Sequence, residues 1–371
     1  MAREKGAWSE ATYQSRAAVV QSQGGRATLE AEQRVKQGKG LDTLVDPKAR
    51  GVIRVAGNLL VPVGDVFELP YGIAMPVKTD TDTTASMGQN VDIAFAVQPK
   101  VQNLLIQGQR AVLKRYHAQL ATGSIGDRTN RYPYQATQFE PDNEVERQMG
   151  LLVPERNGGR DTTEDYQLSL FATAYLTKTT IVEYGLRGYY FAIGDERGRD
   201  MFDAGDLKRV FGPDVLKLAF GSDDKSLPSV KDTAKQVLKN WHGFFLQVYD
   251  TDYTKKWWGT VFGKERIIEL PRTEDLAEIQ AVVIGLSEGT LDLQSASDFL
   301  RENEVSAADA KRIVEACTGI PLREQCKAKD FDAIPLAGAK FASRDDIWPI
   351  GSGKETKSES EPAGDKKKWK I

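Results

Sequence analysis

Cysteine and histidine are scarce in this 371-residue chain, which has two of each: Cys317, Cys326, His117 and His242. The cysteines form no CxxC pair and the histidines lie far apart, which excludes a disulfide framework and a zinc site of the usual ligand set. Without a disulfide framework, the reading is a reducing compartment. Long apolar runs are missing as well. The opening residues, MAREKGAWSEATYQS, hold no hydrophobic stretch of leader length. Nowhere does an apolar run approach the ~20 residues that a bilayer-spanning helix needs. Charge of one sign is also lacking, since the formal net charge is -3. The expectation is a cytoplasmic protein with neither a membrane nor a nucleic acid among its partners.

What is present looks globular. Apolar residues make up 40% and charged residues 28%, ordinary for a soluble protein. Strand-length runs bounded by Gly and Pro occur at 52–55, 59–63 and 73–77, and further strands are read at 116–121, 134–139, 189–193 and 243–249. Helical spacing marks 90–106, with a kink at Pro99, then 143–152, 164–176, 230–241, 276–286 and 308–317. Strands alternating with helices predict an α/β fold: a doubly wound, mainly parallel central sheet with helices on both faces. Four regions follow: a polar N-terminal arm (1–50), the α/β domain (51–270), C-terminal helices (271–320) and an extended, largely disordered tail (321–371). Lys366–Lys368 with Trp369 read as a solvated end. GSGKET is no phosphate loop, because Trp348 stands where that motif needs its first Gly and Glu355 follows the Lys. Trp257 or Trp258 is expected to pack between the last strand and the helices.

The segment that carries chemistry is Asp82-Thr83-Thr84-Ala85-Ser86-Met87-Gly88, between a predicted strand and a predicted helix. A carboxylate and two hydroxyls at i, i+2 and i+4 can converge on one point, a set of hard oxygens suited to Mg²⁺ with water in its remaining positions. Taken alone, the same residues also serve as turn or cap chemistry.

The segment resembles the Asp-x-Ser-x-Ser motif of von Willebrand factor type A (vWA) domains, with Thr84 replacing the first Ser and Met87-Gly88 similar to the usual continuation. The resemblance covers roughly residues 70–270 and extends into Gly126-Asp127 and Gln138-Phe139-Glu140. It implies the Rossmann-like vWA fold, bacterial cytosolic type, with a metal-ion-dependent adhesion site. Asp82, Thr84 and Ser86 would then be metal ligands. A further ligand is implied within Gly158-Gly159-Arg160-Asp161-Thr162-Thr163-Glu164, where Thr162, Thr163 and Asp161 all stay open. Another is Asp195, after the run YYFAIG, reaching the metal through water. The cation implied is Mg²⁺, with Mn²⁺ or Ca²⁺ as alternatives. The function implied is not catalysis. A partner protein's Asp or Glu completes the metal shell, and an AAA-type, ring-forming ATPase is the expected partner. Pro76 inside the central strand and Lys78-Thr79 just before the site depart from the pattern.

A rival reading uses the same residues. Asp80-Thr81-Asp82-Thr83-Thr84 also fits the Asp-x-Asp-x-Thr pattern of haloacid dehalogenase-like phosphatases, with Asp80 as nucleophile, Asp82 as general acid/base and the acidic motif at Asp195–Asp200. That family's nucleophile usually follows apolar strand residues directly, and Lys78-Thr79 break the pattern.

Overall fold

Tyr189, Phe191 and Ile193 pack into one hydrophobic cluster, and Tyr190 and Ala192 into another. This is the period of two expected of a strand buried on both faces. The computed structural model describes residues 29–348 apart from 52–53, 107–110, 157–162, 224–225, 250 and 330, together with a few positions between 9 and 22. That strand is the fourth of six in the central sheet: β1 (Ile73–Asp82), β2 (Tyr116–Ile125), β3 (Tyr134–Ala136), β4 (Gly188–Gly194), β5 (Trp241–Gln247) and β6 (Ile267–Glu269). Their order is β3-β2-β1-β4-β5-β6, and only β3 runs antiparallel.

One face is covered by α1 (Asn90–Val97), α2 (Lys100–Ile106), α6 (Leu276–Glu288), α7 (Leu293–Glu302) and α8 (Ala307–Ala316). The other is covered by α3 (Tyr166–Tyr175), α4 (Val230–Asn240) and α5 (Asp252–Val261), with short helices at Ala204–Phe211 and Val215–Phe220. The architecture is thus the expected α/β fold with a mainly parallel central sheet. Trp257 and Trp258 are buried on α5, and Trp258 stacks on Phe245 with ring centroids 4.1 Å apart. No helix among the described residues is long and apolar enough to cross a membrane.

Several expectations are corrected. Pro99 does more than kink a helix, because it separates α1 from α2. Strand β1 runs on through Lys78 and Thr79 to Asp82 itself. Pro76 lies within this strand, opposite Gln119 of β2 and one residue before the pairing with β4 begins at Val77. The helix expected from Glu164 starts at Tyr166, since Thr163–Glu164 form a short strand against Arg197–Gly198.

The C-terminal helices α6, α7 and α8 share one hydrophobic cluster with the sheet. Residues 321–348 are not an extended tail. Ala339–Phe341 pair with Val66–Leu69, and the Tyr184 hydroxyl donates to the Ile347 carbonyl at 2.6 Å. Residues 349–371 lie outside the described residues. Within the N-terminal arm a helix spans Leu29–Lys36, and its Glu32 takes two hydrogen bonds from Arg156. The same guanidinium binds Asp92 of α1.

At the amino end of the sheet, the buried Gln325 side chain bonds both backbone groups of Arg187 and the ring of His242. Beside it Glu288, fully buried at the end of α6, accepts from the Tyr189 hydroxyl at 2.7 Å. Burial pushes the Glu288 carboxyl up to about 7. A carboxyl with a raised folded pKa contributes stability that is fully present below its ordinary value of ~4.3 and is lost as pH rises through about 7. Urea unfolding between pH 4 and 8 should therefore show a loss of stability that is smaller in Glu288→Gln. Parallel curves for the two proteins would refute the assignment.

Candidate functional site

In a doubly wound sheet, ligands bind beyond the carboxyl ends of the strands, at the point where the strand order reverses. Here that point lies between β1 and β4, which run in parallel side by side while their connections leave in opposite directions. Asp82 ends β1, and Asp195 directly follows the last residue of β4. The sheet topology brings these two carboxylates together across more than a hundred residues of sequence.

The loop after β1 folds around Asp82. One carboxylate oxygen accepts the Thr84 backbone N–H at 2.9 Å and the Thr84 hydroxyl at 2.7 Å. The other accepts the Tyr166 hydroxyl at 2.7 Å. Thr84 Oγ1 lies 3.3 Å from Ser86 Oγ, which donates to Asp195 Oδ1 at 3.1 Å. Asp82, Thr84 and Asp195 are buried, while Ser86 is exposed. The four predicted residues thus form one hydrogen-bonded chain that opens to solvent at Ser86. Gly194 makes this possible. A Cβ there would lie 1.6 Å from the Tyr166 hydroxyl, so only glycine lets α3 bring Tyr166 onto Asp82.

The electrostatics are those of a site short of positive charge. Burial, and then the Asp195 carboxylate, push Asp82 up to about 7, against the hydrogen bonds from Tyr166 and Thr84. Burial also raises Asp195. Glu164 is pushed up to about 9 by burial and then by Asp82, Asp127 and Asp165, with the Thr84 hydroxyl offsetting part of the rise. Such groups must either hold protons or share a cation. The donors are all hard oxygens, so the residues fit Mg²⁺, Mn²⁺ or Ca²⁺. Among the described residues, no three carboxylate, imidazole or thiol side chains converge tightly enough to hold an ion by themselves. A cation here would therefore depend on the Thr84 and Ser86 hydroxyls and on water.

Two of the open alternatives, Asp161 and Thr162, lie outside the described residues. The Thr163 hydroxyl accepts from Arg199 at 2.7 Å. The structure also brings up Glu164 and Tyr166, neither of which the motif reading singled out. Their signal lay in the Thr163-Glu164-Asp165-Tyr166 run, which reads as a helix start until its extended backbone is known. Gly194 immediately before Asp195 was the other clue.

Asp80 is sealed off. It points to the same face of β1 as Asp82 but is wholly buried beneath α3, where it meets Lys78, Ser169 and the Tyr134 hydroxyl. Gly123 on β2 closes the remaining side, where a Cβ would lie 2.3 Å from Asp80 Oδ1. A nucleophile must reach its phosphorus atom, and this carboxylate has no path to one. Asp200, from the rival acidic motif, is bound by the Trp257 ring N–H at 2.7 Å.

A polar stripe therefore runs down β1. Asp82 meets Tyr166, Asp80 meets Ser169, and Lys78 donates to Thr173 at 3.0 Å. Every second residue of the strand meets residues on one face of α3.

Similarity to known proteins is slight. No protein-family model matches the chain, and no curated protein matches it. Among solved structures, the pilus adhesin SpaC from Lactobacillus rhamnosus GG is similar at 13% identity and a TM-score of 0.37, over 57% of this chain and 31% of that one. Proximal thread matrix protein 1 from the mussel byssus is similar at 11% identity and 0.36, over 57% and 46%. A von Willebrand factor type A protein from Catenulispora acidiphila is similar at 14% identity and 0.34, over 60% and 45%. This chain spans less than half the length of each. Likeness at this level carries no argument about function.

The buried Lys78–Asp80 pair yields a test. Asp80→Ala leaves the Lys78 ammonium without its carboxylate in the protein interior, a change that costs about 3–5 kcal/mol. Joint replacement by Lys78→Met and Asp80→Leu should cost far less, because both charges leave together. Urea unfolding of the three proteins measures this. A single variant no less stable than the double variant would show that the charges are not buried together.

Proposed function

We propose that this protein is a cation-dependent protein-binding module of the vWA type, not an enzyme. One observation carries the reading. Asp82, Thr84, Ser86 and Asp195 form a continuous oxygen-rich chain at the strand-order reversal, and its opening lies at Ser86. Asp82, Thr84, Ser86 and Asp195 would hold the cation. When bound, it supplies a positive centre that an acidic side chain of a partner can approach.

The protein's own residues prepare that centre. Tyr166 and the Thr84 N–H fix the Asp82 carboxylate in place, and Ser86 ties Asp195 to the loop after β1. Asp195 also anchors α5, since its carbonyl accepts the Thr254 hydroxyl at 3.1 Å. A change at the site would thus be felt directly by α5 as well as by α1 and α3. The partner class is a protein presenting Asp or Glu. The resemblance of the motif makes a ring-forming ATPase the first candidate to try.

The test is thermal unfolding with Mg²⁺ or Mn²⁺ against chelator. A cation that binds only the native state at a hundredfold excess over Kd stabilises it by about 2.7 kcal/mol, so the melting temperature should rise by several degrees. Asp82→Ala should abolish the rise and Ser86→Ala should reduce it, both variants remaining folded in chelator. Equal metal-induced shifts in wild type and Asp82→Ala would sink the reading. So would hydrolysis of a generic phosphate ester that disappears in Asp80→Asn.

A further inference from the structure

Arg199 lies in the loop after β4 and is largely buried. Its guanidinium donates to Asp127 in the loop after β2, to Asp165 at 2.9 Å, and to the Thr163 hydroxyl and carbonyl at 2.7 and 3.2 Å. One planar cation thus joins three loops at the carboxyl end of the sheet. It is not part of the hydrogen-bonded chain from Asp82 to Asp195.

Its partners in the segment before α3 are the alternate residues 163 and 165. In an extended backbone, successive side chains point to opposite sides, and Thr163–Glu164 is a short strand paired in parallel with Arg197–Gly198. With Thr163 turned to Arg199, the alternation of this strand points Glu164 the other way. That direction leads to Thr84 and Asp82, whose hydroxyl and charge both act on the Glu164 carboxyl. Glu164 is 4% exposed, and its Oε2 is buried with no hydrogen-bond partner. An unpartnered, fully buried carboxylate oxygen beside an acidic site is costly unless positive charge comes to it.

We propose that Arg199 is a positioning residue that turns Glu164 toward the candidate cation site, so that the chain itself supplies an additional negative charge there. This rests on the cation-binding reading above and adds to it. Glu164 acts from beside the ring of donors, strengthening the hold on the cation and competing with the partner's carboxylate for its charge. Thr163 is thereby assigned to Arg199 and not to the site.

The test is Mn²⁺ affinity of the full chain, measured by titration calorimetry or by the electron paramagnetic resonance signal of the free ion. Glu164→Gln, close to isosteric, should weaken Mn²⁺ binding by roughly ten- to a hundredfold, the range for residues that act around a metal's direct ligands. Arg199→Gln should weaken it by a similar factor. Arg199→Lys should not restore it, because one ammonium lacks the planar fork that spans Asp127, Thr163 and Asp165. The double variant should lose no more than the single ones, since both act through the same side chain.

A merely structural Arg199 would lower the melting temperature in chelator and leave Mn²⁺ affinity untouched, and that result overturns the proposal. Glu164→Gln alone decides the issue if Arg199→Gln fails to fold: wild-type affinity in that variant also overturns it, with the cation-binding reading left standing. Wild-type protein that binds no Mn²⁺, or binds it no better than Asp82→Ala, overturns both.

Discussion

Helix α3 can lie against β1 only because two glycines leave open the space it needs. Gly194 on β4 admits the Tyr166 ring to Asp82, and Gly123 on β2 admits the Asp80 carboxylate. Any side chain at either position would collide with one of these groups. The contact they permit is polar in the middle of the protein, where most sheets are oily. It holds Asp82 from beneath and leaves the loop after β1 free to fold over it. The geometry around Asp82 and the burial of Lys78 and Asp80 follow from this approach.

Charge balance follows a gradient along the same stripe. At its lower end Lys78 meets Asp80, and its ammonium also lies over the rings of Tyr134 and Tyr190, at 5.6 and 5.0 Å from their centroids. At the upper end lie Asp82, Asp195 and Glu164, and the Arg199 guanidinium on the same side of the sheet is committed to Asp127 and Asp165. Burial, joined at Asp82 and Glu164 by the neighbouring carboxylates, accordingly pushes the upper carboxyls upward in pKa.

The apolar half of β1, Ile73 to Val77, and the run Tyr189 to Ile193 were legible as strands because apolar side chains report their burial directly. Lys78 to Asp82 were not, since polar residues in a strand look like a loop until the helix that satisfies them is known. Residues 321–348 misled as well. Their attachment combines hydrogen bonds at Gln325 and the Ile347 carbonyl with scattered apolar contacts from Phe331, Ile334, Phe341, Ile347 and Trp348, which have no helical or strand period. At the site, the convergence of Asp82, Thr84 and Ser86 was legible from their spacing, and that of Asp195 with them only from the resemblance of the motif. The open choice among Asp161, Thr162 and Thr163 was not: the first two lie outside the described residues, and the Thr163 hydroxyl accepts from Arg199, more than thirty residues away.

Strand β1 is the centre of the sheet and the first of its six strands to be synthesised. Both of its neighbours come later in the chain, and β4 is completed only after about a hundred more residues have emerged. Contacts so distant in sequence form late. Through that interval the unpaired backbone of β1 is a template for pairing with other chains. A wholly apolar strand would be at its most adhesive then. Lys78, Asp80 and Asp82 keep its second half hydrated until α3 arrives, much as charged residues flank and protect strands elsewhere. The stripe that is costly to bury in the finished protein thus guards the nascent one against aggregation.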